Sequence, residues 1–306
     1  MIAGVPAGFA LVASTATIDG VGGGVFALGP GGFRQVDQLA GAGMATDGRR
    51  LARLLAADDY EGLRPRGRLA VYDEHGCITA LDLPHVPDPH DLVAANGRLW
   101  AASPWRDAVV AMDWDGRLSR EWRMGSALDA WHLNCLRPHA GRLYATAFGR
   151  FDTHRAWARD AGGTGILFDV GRRAVVGGGL TQPHDPRWVD GAWLVADSGR
   201  HSVVRMDAAT GEIVEGVELT GWTRGIAVAH DRIWVGESTV RRSSDGGRLA
   251  SVAMLDRRTL EVLDRFDVES PEIYGLYLVP TRFLDAIARG ESRAGAWAPA
   301  RPVSEP

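Results

Sequence analysis

The sequence predicts an all-β fold, a six-bladed β-propeller with four-stranded antiparallel blades, and two observations carry this prediction. The first is a recurring phrase in which a polar residue is followed by a turn and then by a large apolar residue. Its polar positions 90, 134, 184 and 224 lie 44, 50 and 40 residues apart, which is the period of a four-stranded propeller blade. The second is the alternation of short β-rich runs with Gly or Asp turns between these phrases.

The third and fifth repeats show the four strands of a blade most clearly. In the third repeat the β-rich runs cover residues 91–95, 99–103, 108–114 and 118–123. In the fifth repeat they cover residues 187–189, 193–197, 202–207 and 212–218. Asn-Gly and Asp-Gly pairs between the runs of the third repeat are typical of tight hairpin turns. The second, fourth and sixth repeats span residues 40–83, 131–180 and 225–268.

The first repeat is split between the two ends of the chain. Residues 272–280 have the pattern of a lone innermost strand, and residues 8–39 supply three strands without an innermost one. We therefore expect both ends to join in one blade, which removes the exposed strand edges of an open array. A seven-bladed ring would need strands that this count does not find. The predicted propeller domain covers residues 1–280, and a short helix and flexible tail cover residues 281–306.

The composition is that of an ordinary globular protein, with 306 residues and a formal net charge of -4. All 34 basic residues are Arg and form no block of like charge, so nucleic acid is not an expected partner. Cys77 and Cys135 fall in different repeats, which indicates a reducing cytoplasm rather than a disulfide scaffold. The apolar run over residues 8–16 lacks a basic flank and is too short to span a bilayer. We expect a cytoplasmic protein without a membrane partner.

Polar side chains of the innermost strands predict one site on the axis of the ring. The first strand of each blade lines the central channel, and alternate residues of a strand face the same side. The repeat places His90, Asn134, His184 and Arg224 at one level. Tyr274 joins them if the pair of residues 274–275 occupies the same place in its blade as the pair 224–225. We therefore expect these five side chains to converge.

A second level lies one pleat nearer the mouth of the channel. His132 and Glu272 stand two residues upstream of the first level and face the same way. Long polar loops over residues 58–65, 150–163 and 238–247 open on this mouth, and long loops gathered on a rigid scaffold often bind ligands. These and shorter loops are expected to bring Arg150, Trp105 and Glu237 above the channel.

His90, His132, His184 and Glu272 form a candidate ligand set for a divalent transition metal. Imidazole nitrogen suits Zn, Fe, Cu or Mn, whereas Ca²⁺ and Mg²⁺ prefer oxygen ligands. A metal at the mouth would keep positions open for water or substrate and could act as a Lewis acid. The same residues also fit a metal-free acid–base or anion site, or a water-filled channel. Asp91 and Asp185 follow two of the histidines and point the other way, so we expect them to pin neighbouring strands.

Several motifs resemble, in order, a bacterial family of conserved hypothetical propeller proteins of unknown function. The motifs cover residues 132–136, 182–188, 197–199, 222–225 and 272–274. More remotely, the layout is similar to the gluconolactonase, strictosidine synthase and streptogramin lyase propellers, which place their sites on the axis at this mouth. The lactonase group holds its metal with carboxylates and carboxamides, whereas imidazoles would take most of those roles here. The resemblance therefore implies the fold and the importance of these motifs, and not the reaction.

The leading functional hypothesis is a metal-dependent enzyme that acts on a small polar organic molecule in biosynthesis. Lyase, cyclase, isomerase or hydrolase chemistry is favoured because no redox cofactor motif is present, and a three-His iron or copper oxygenase is a variant of the same site. Glu272, Asn134 and Tyr274 are the expected catalytic residues. The expected substrate-binding residues are Arg224, Arg150, Trp105 and Glu237, with the two Arg residues suited to an anionic group of the substrate.

Two other hypotheses come from different classes. One is a non-catalytic propeller that binds a ligand or a partner protein. The other is a metal-free acid–base enzyme of the strictosidine synthase kind, in which Glu272 or a histidine is the base. Fold alone does not decide among the three.

Overall fold

The computed structural model describes residues 4–18, 21–57, 66–159, 162–239 and 249–290. Within these ranges the strands form six four-stranded antiparallel sheets, each built from strands that are neighbours along the chain or at its two ends. The first strand of each sheet contacts the first strands of the two adjacent sheets, so six innermost strands surround one axis. This is the predicted six-bladed propeller, and the seven-bladed alternative does not match the six sheets.

The first three blades use the N-terminal half of the chain. Strands of the first blade are β1 (Phe9–Ile18), β2 (Val21–Gly29) and β3 (Gly32–Asp37). Strands of the second blade are β4 (Gly41–Thr46), β5 (Leu51–Ala57), β6 (Arg66–Asp73) and β7 (Gly76–Leu83). Strands of the third blade are β8 (Asp91–Ala95), β9 (Arg98–Ser103), β10 (Ala108–Met112) and β11 (Leu118–Arg123).

The remaining blades follow in chain order. Strands of the fourth blade are β12 (Leu133–His139), β13 (Arg142–Ala147), β14 (Gly165–Asp169) and β15 (Ala174–Leu180). Strands of the fifth blade are β16 (Pro183–Val189), β17 (Ala192–Asp197), β18 (Ser202–Asp207) and β19 (Ile213–Glu218). Strands of the sixth blade are β20 (Trp222–Ala229), β21 (Arg232–Ser238), β22 (Ala250–Asp256) and β23 (Val262–Val268). The last strand, β24 (Ile273–Pro280), is the innermost strand of the first blade.

The ring closes where the two ends of the chain meet. Strand β24 pairs antiparallel with β1, from Phe9 opposite Pro280 to Thr15 opposite Ile273. This confirms the predicted closure, in which N-terminal strands complete a blade around a C-terminal strand. Helix α1 (Arg282–Gly290) follows directly. Its apolar face packs Phe283 and other buried side chains into the core between the first two blades.

The hydrophobic core is divided among the interfaces between adjacent blades. Leu54 and Leu69 of the second blade, for example, pack in one cluster with Leu99 and Val110 of the third. Alternate residues of each strand face a neighbouring blade on either side, so every blade is stabilised mainly by burial against its neighbours.

Two aspartates link innermost strands across blade boundaries. Asp91 of β8 accepts a hydrogen bond from the backbone N–H of Leu136 in β12, at 2.8 Å. Asp185 of β16 accepts one from the backbone N–H of Ile226 in β20. The prediction that these residues pin neighbouring strands is therefore confirmed.

The innermost strands of the last three propeller repeats share a β-bulge. The pairing register shifts between 133 and 136, between 184 and 187, and between 223 and 226. Gly225 lies in the third of these bulges with a φ of +83°, and a Cβ there would stand 2.7 Å from the backbone nitrogen of Leu276. A side chain at 225 would collide with β24, so glycine is required where the two strands approach closely. Strand β16 also begins four residues earlier than predicted, because the chain continues through its bulge.

A buried ion pair joins the first and second blades. The guanidinium of Arg53 in β5 pairs with the carboxylate of Asp37 at the end of β3, and both side chains are almost fully buried. Arg53 also donates to the backbone carbonyl of Leu39 at 2.8 Å, and Asp37 accepts from the N–H of Val25 at 2.9 Å.

Within the described residues no helix is long and apolar enough to cross a membrane.

We expect Asp37→Asn to lower the free energy of unfolding by about 3–5 kcal/mol, because it leaves the Arg53 cation buried without a counterion. Urea denaturation measures this loss. Asp47→Asn is the matched control, since the Asp47–Arg50 pair is partly exposed at the surface and its loss costs about 1 kcal/mol or less. Equal losses in the two variants would show that the buried pair is not a major contributor to stability.

Candidate functional site

The starts of the innermost strands bring a group of polar side chains together at one end of the channel. The rings of His90 and His132 are 5.0 Å apart between centroids, and those of His90 and Tyr274 are 5.7 Å apart. The guanidinium carbon of Arg224 lies 3.4 Å from the centroid of the Tyr274 ring. We call this set the channel-mouth group, and its members are His90, His132, His184, Arg224, Glu272 and Tyr274.

His132 is held by an aspartate that the sequence analysis did not single out. Its Nδ1 atom is 2.7 Å from Oδ1 of Asp129, which is itself buried. Trp157 donates its indole N–H to the same oxygen at 3.2 Å and packs against the His132 ring. Because Nδ1 is anchored in this way, Nε2 is the atom that His132 presents to the channel.

Backbone geometry explains why regular strand alternation could not place His132. Asp129 and His132 have φ values of +47° and +50°, and His132 precedes β12 rather than belonging to it. Asp88 and Gln182 stand at the matching points before β8 and β16, with φ values of +52° and +50°. Non-glycine residues adopt this left-handed conformation only at a cost. The entry to these three innermost strands is therefore a strained turn, which three different residue types, Asp, His and Gln, adopt without a shared sequence signal.

His184 is anchored through a serine in the short turn that follows β17 of its own blade. Its Nδ1 atom lies 2.8 Å from Oγ of Ser198, and that hydroxyl donates to the backbone carbonyl of Thr223. Because the serine proton is given to Thr223, Nδ1 of His184 donates to Ser198. Burial, together with the nearby Arg224 cation, lowers the pKa of His184 well below its usual value, so its Nε2 is a hydrogen-bond acceptor at neutral pH.

His90 is also buried, and its ring faces a carboxylate. Nε2 of His90 is 3.6 Å from Oδ1 of Asp88, and its Nδ1 is buried with no hydrogen-bond partner among the described residues. Burial lowers the pKa of His90 to about 4, although Asp88 opposes this shift. The His90 imidazole is therefore neutral at physiological pH.

Arg224 is the buried cation of the group. One of its terminal nitrogens, Nη1, lies 3.5 Å from Oε1 of Glu272. Its Nε and Nη2 atoms are buried and have no hydrogen-bond partner in the part of the chain that the structure describes. These two N–H groups form one edge of the guanidinium fork, the edge that binds a carboxylate or phosphate with two parallel hydrogen bonds. Buried donors without acceptors are costly, so this edge points to a bound anion or water.

Two other predicted site residues, Asn134 and Glu237, have their side-chain polar atoms bonded to groups that support the structure. Asn134 accepts from the hydroxyl of Thr146 at 2.6 Å and donates to the backbone carbonyl of His132 at 3.2 Å, so its amide supports the turn that carries His132. Glu237 accepts from both the N–H and the hydroxyl of Thr220 through one oxygen. Its other oxygen accepts from Ser251 and pairs with Arg265.

Arg150 and Trp105 contact aromatic rings outside the channel-mouth group. Arg150 is exposed and stacks over the Trp131 ring, 5.2 Å from its centroid, beside a crevice of about 110 Å³ between blades. The ring of Trp105 meets that of His154 edge-on at 5.4 Å. Of the three long loops, residues 58–65 and 240–248 lie outside the described residues, as do residues 160–161.

No three His, Cys, Asp or Glu side chains within the described ranges are arranged to hold a metal ion. A cavity of about 480 Å³ lies at the opposite end of the channel, lined by the second halves of the innermost strands. The anchored imidazoles and the unpartnered guanidinium edge lie at the channel mouth, which makes that end the candidate functional site.

A family comparison matches residues 82–271, more than half of the chain, to the family described as "Domain of unknown function (DUF4915)". The chain belongs to this family. The resemblance to a family of uncharacterised propeller proteins is thereby confirmed. The matched region of the DUF4915 chain contains His90, His132, His184 and Arg224 of the channel-mouth group, and ends before Glu272.

Solved structures share the fold at low sequence identity. A protein of unknown function from Bacteroides caccae has a TM-score of 0.63 and 10% identity, over 89% of this chain and 98% of its own. A chain from a nidogen/laminin complex has a TM-score of 0.62 and 12% identity, with the same coverage of both chains. At these identities the likeness shows the fold alone. No curated protein gives a significant match.

The lowered pKa of His90 predicts a specific loss of stability in acid. Below pH 6.5 the unfolded chain takes up a proton on this residue that the folded chain refuses until about pH 4, so stability falls as pH is lowered through this window. His90→Gln removes this contribution, and its free energy of unfolding should fall less than that of the natural chain between pH 7 and pH 4.5. Denaturant unfolding at both pH values measures the difference, which cancels the contributions of other titrating groups. If the free energies of unfolding of the natural chain and of His90→Gln differ by the same amount at both pH values, the lowered pKa of His90 is contradicted.

Proposed function

We propose that this DUF4915 protein binds a small carboxylate-bearing molecule at the channel mouth and transfers a proton on it, as a lyase or isomerase. The observation that carries the proposal is one juxtaposition. A buried guanidinium with an unpartnered edge, on Arg224, belongs to the same group as an imidazole held by a carboxylate, on His132. An anion-binding residue and an oriented base are the two parts that proton abstraction next to a carboxylate requires.

Arg224 would hold the substrate carboxylate. Its Nη1 is directed at Glu272, and its face is covered by Tyr274, so only the Nε and Nη2 edge is left for a ligand. Contact with Glu272 keeps the cation partly balanced before a substrate arrives. A substrate carboxylate would satisfy both buried donors at once, which favours a bidentate anion over a single-atom ligand.

His132 would be the general base. Asp129 fixes the orientation of its ring and accepts the Nδ1 proton, so that the Nε2 lone pair is available to take a proton from the substrate. The carboxylate would also stabilise the imidazolium that forms. Phe148 and Trp157 pack against the His132 ring at 4.3 Å and limit the access of water.

His184 and His90 would accept hydrogen bonds from the substrate. Both imidazoles are neutral at physiological pH because burial lowers the pKa of each. The one N–H of neutral His184 is given to Ser198, so its Nε2 can accept from a hydroxyl of the substrate. The Arg224 cation would stabilise the negative charge that appears when the proton leaves.

The reaction is testable as solvent deuterium exchange. We expect the protein to accelerate the exchange of carbon-bound protons in a panel of small C–H acids in D₂O, namely pyruvate, oxaloacetate and mandelate, followed by proton NMR. His132→Gln should reduce the maximal exchange rate by roughly 10²–10⁴-fold, because it removes a positioned base. Arg224→Gln should instead raise the half-saturating concentration about tenfold or more, because it removes a charge-assisted contact.

Arg142→Gln is the matched control for charge, because the Arg142 side chain is 45% exposed and its Nη1 lies 3.8 Å from Asp169 rather than in the channel-mouth group. It should exchange like the natural chain. Binding that depends on Arg224 but is accompanied by no exchange would favour the non-catalytic ligand-binding alternative. Binding and exchange that are unaffected by either site variant would overturn the proposal.

A metal-dependent form of the same enzyme is the second candidate, and one observation favours it. His132 and His184 both have Nδ1 anchored by an oxygen, from Asp129 and Ser198 respectively. Outer partners of this kind commonly orient metal-ligating histidines and leave Nε2 for the ion. The neutral imidazoles suit Zn, Fe, Cu or Mn, with His90 and Glu272 as further ligands. It ranks second because the described side chains are not preassembled around one point.

Elemental analysis of protein purified without added metal tests this second candidate. If it holds, about one equivalent of a transition metal should copurify, as expected of a protein-bound ion. His184→Ala should lose that metal, whereas Arg142→Gln should keep it. Less than roughly a tenth of an equivalent in the natural chain, unchanged in His184→Ala, would exclude a tightly bound metal at these residues.

A further inference from the structure

The opposite end of the channel contains a second set of charged and aromatic side chains. The cavity of about 480 Å³ lies there, and its walls come from the later residues of all six innermost strands. The channel-mouth group comes from the starts of the same strands. His184 and Trp188 lie four residues apart on β16, which corresponds to roughly 13 Å along a strand. The two ends therefore hold different residues and are separate sites.

Two arginines supply positive charge to this cavity. Arg137 of β12 and Arg187 of β16 both line it, and both contact Oδ1 of Asp185, at 3.4 and 2.5 Å. Each has its Nε fixed by a backbone carbonyl, that of Pro186 for Arg137 and that of Ile226 for Arg187. The guanidinium groups are therefore held in place before any ligand binds.

Neither arginine is fully used by the protein. Nη1 of Arg137 and Nη2 of Arg187 have no hydrogen-bond partner among the described residues, and neither belongs to the atoms sealed from solvent. The carboxylate of Asp91 also lines the cavity and accepts from the backbone N–H groups of Leu92 and Leu136, both at 2.8 Å. Asp91 and Asp185 together balance the two guanidinium charges, so the cavity offers an anion the free Nη atoms of two positioned guanidinium groups rather than a net positive charge.

The rest of the wall is suited to an apolar body. Val93, Val189 and Val228 are among the side chains that line it. At the rim the rings of His139 and Trp188 stack with centroids 4.2 Å apart, and Trp188 is 37% exposed. A stacked, partly exposed aromatic pair beside an apolar wall is suited to bind a flat hydrophobic group. The cavity volume falls in the range of about 300–1,000 Å³ that is typical of small-molecule sites.

We propose that this second cavity is a binding site for a small amphipathic anion, an aromatic carboxylate whose head group pairs with Arg137 and Arg187 and whose ring lies along the valine wall toward Trp188. This site is independent of the channel-mouth group and of the reaction proposed there. The carboxylate takes the N–H groups that Asp185 and the backbone carbonyls leave unpaired. The ring displaces water from the apolar wall.

Isothermal titration calorimetry with 2-naphthoate tests the site, with 2-naphthylmethylammonium as a cationic probe of similar shape. We expect 2-naphthoate to bind with a Kd of roughly 1 mM or tighter and the cation to bind at least tenfold more weakly. The indole N–H signal of Trp188 should shift in NMR spectra on titration with 2-naphthoate. Equal binding of the two probes, or no heat and no Trp188 shift up to roughly 10 mM 2-naphthoate, would overturn the proposal.

Variants separate this site from the channel mouth. Arg187→Gln should weaken 2-naphthoate at least tenfold, and Arg142→Gln should leave it unchanged. Arg224→Gln should also leave it unchanged, so a loss with Arg224→Gln and not with Arg187→Gln would assign the binding to the mouth and overturn the second site. Because Arg187 contacts Asp185 and its loss also removes a structural ion pair, Val228→Phe, which fills the apolar wall, is the second variant. It should abolish binding while the unfolding transition is retained, and unchanged affinity in Val228→Phe would count against the proposal.

Discussion

The antiparallel pairing of β24 with β1 is the constraint on which the rest of the structure depends. It joins residues 9–15 to residues 273–280 and turns six sheets into a closed ring. Without it the first and sixth blades would expose strand edges and the apolar faces that now pack on each other. The closure also places Tyr274 beside Arg224 and His90, because the start of β24 lies next to the start of β20. The site at the channel mouth therefore exists only in the closed ring.

The same closure imposes a cost at the centre of the ring, where six innermost strands converge and their polar groups need partners. The bulges in β12, β16 and β20 meet this need. They turn Asp185 toward the N–H of Ile226, in the way that Asp91 reaches the N–H of Leu136. Arg224 lies within the bulge of β20 and His184 at the edge of the bulge of β16, and bulges near functional sites commonly re-aim a side chain. In these two blades, attachment to the neighbouring blade and presentation of a site residue thus come from one local device.

The fold could be predicted from the sequence because strand length and repeat period are local properties. Strand β11, predicted over 118–123, matches its prediction, and β24 was found from a lone run with no successors. Most members of the channel-mouth group could also be predicted, since His90, His184, Arg224 and Tyr274 occupy the same point of four blades and His132 and Glu272 stand two residues upstream of that point. The role of Asp129 could not be predicted from the sequence, because it depends on the left-handed backbone of Asp129 and His132, which breaks the strand alternation. Nor could the closed hydrogen-bond set around Glu237, which involves partners from 220, 251 and 265.

A buried polar layer divides the channel into two ends that can act separately. Asp91, Cys135 and Asp185 directly follow His90, Asn134 and His184 in the innermost strands, and all three are buried. Burial raises the pKa of Asp91 to about 6 and that of Asp185 to about 7, while nearby Arg137 opposes both shifts. Their oxygens are held by backbone N–H groups of neighbouring blades, so the layer cannot rearrange without loosening the ring. A ligand at one end therefore meets a rigid polar floor, and the chemistry of each end is set by its own arginines: Arg224 at the mouth, Arg137 and Arg187 at the far side.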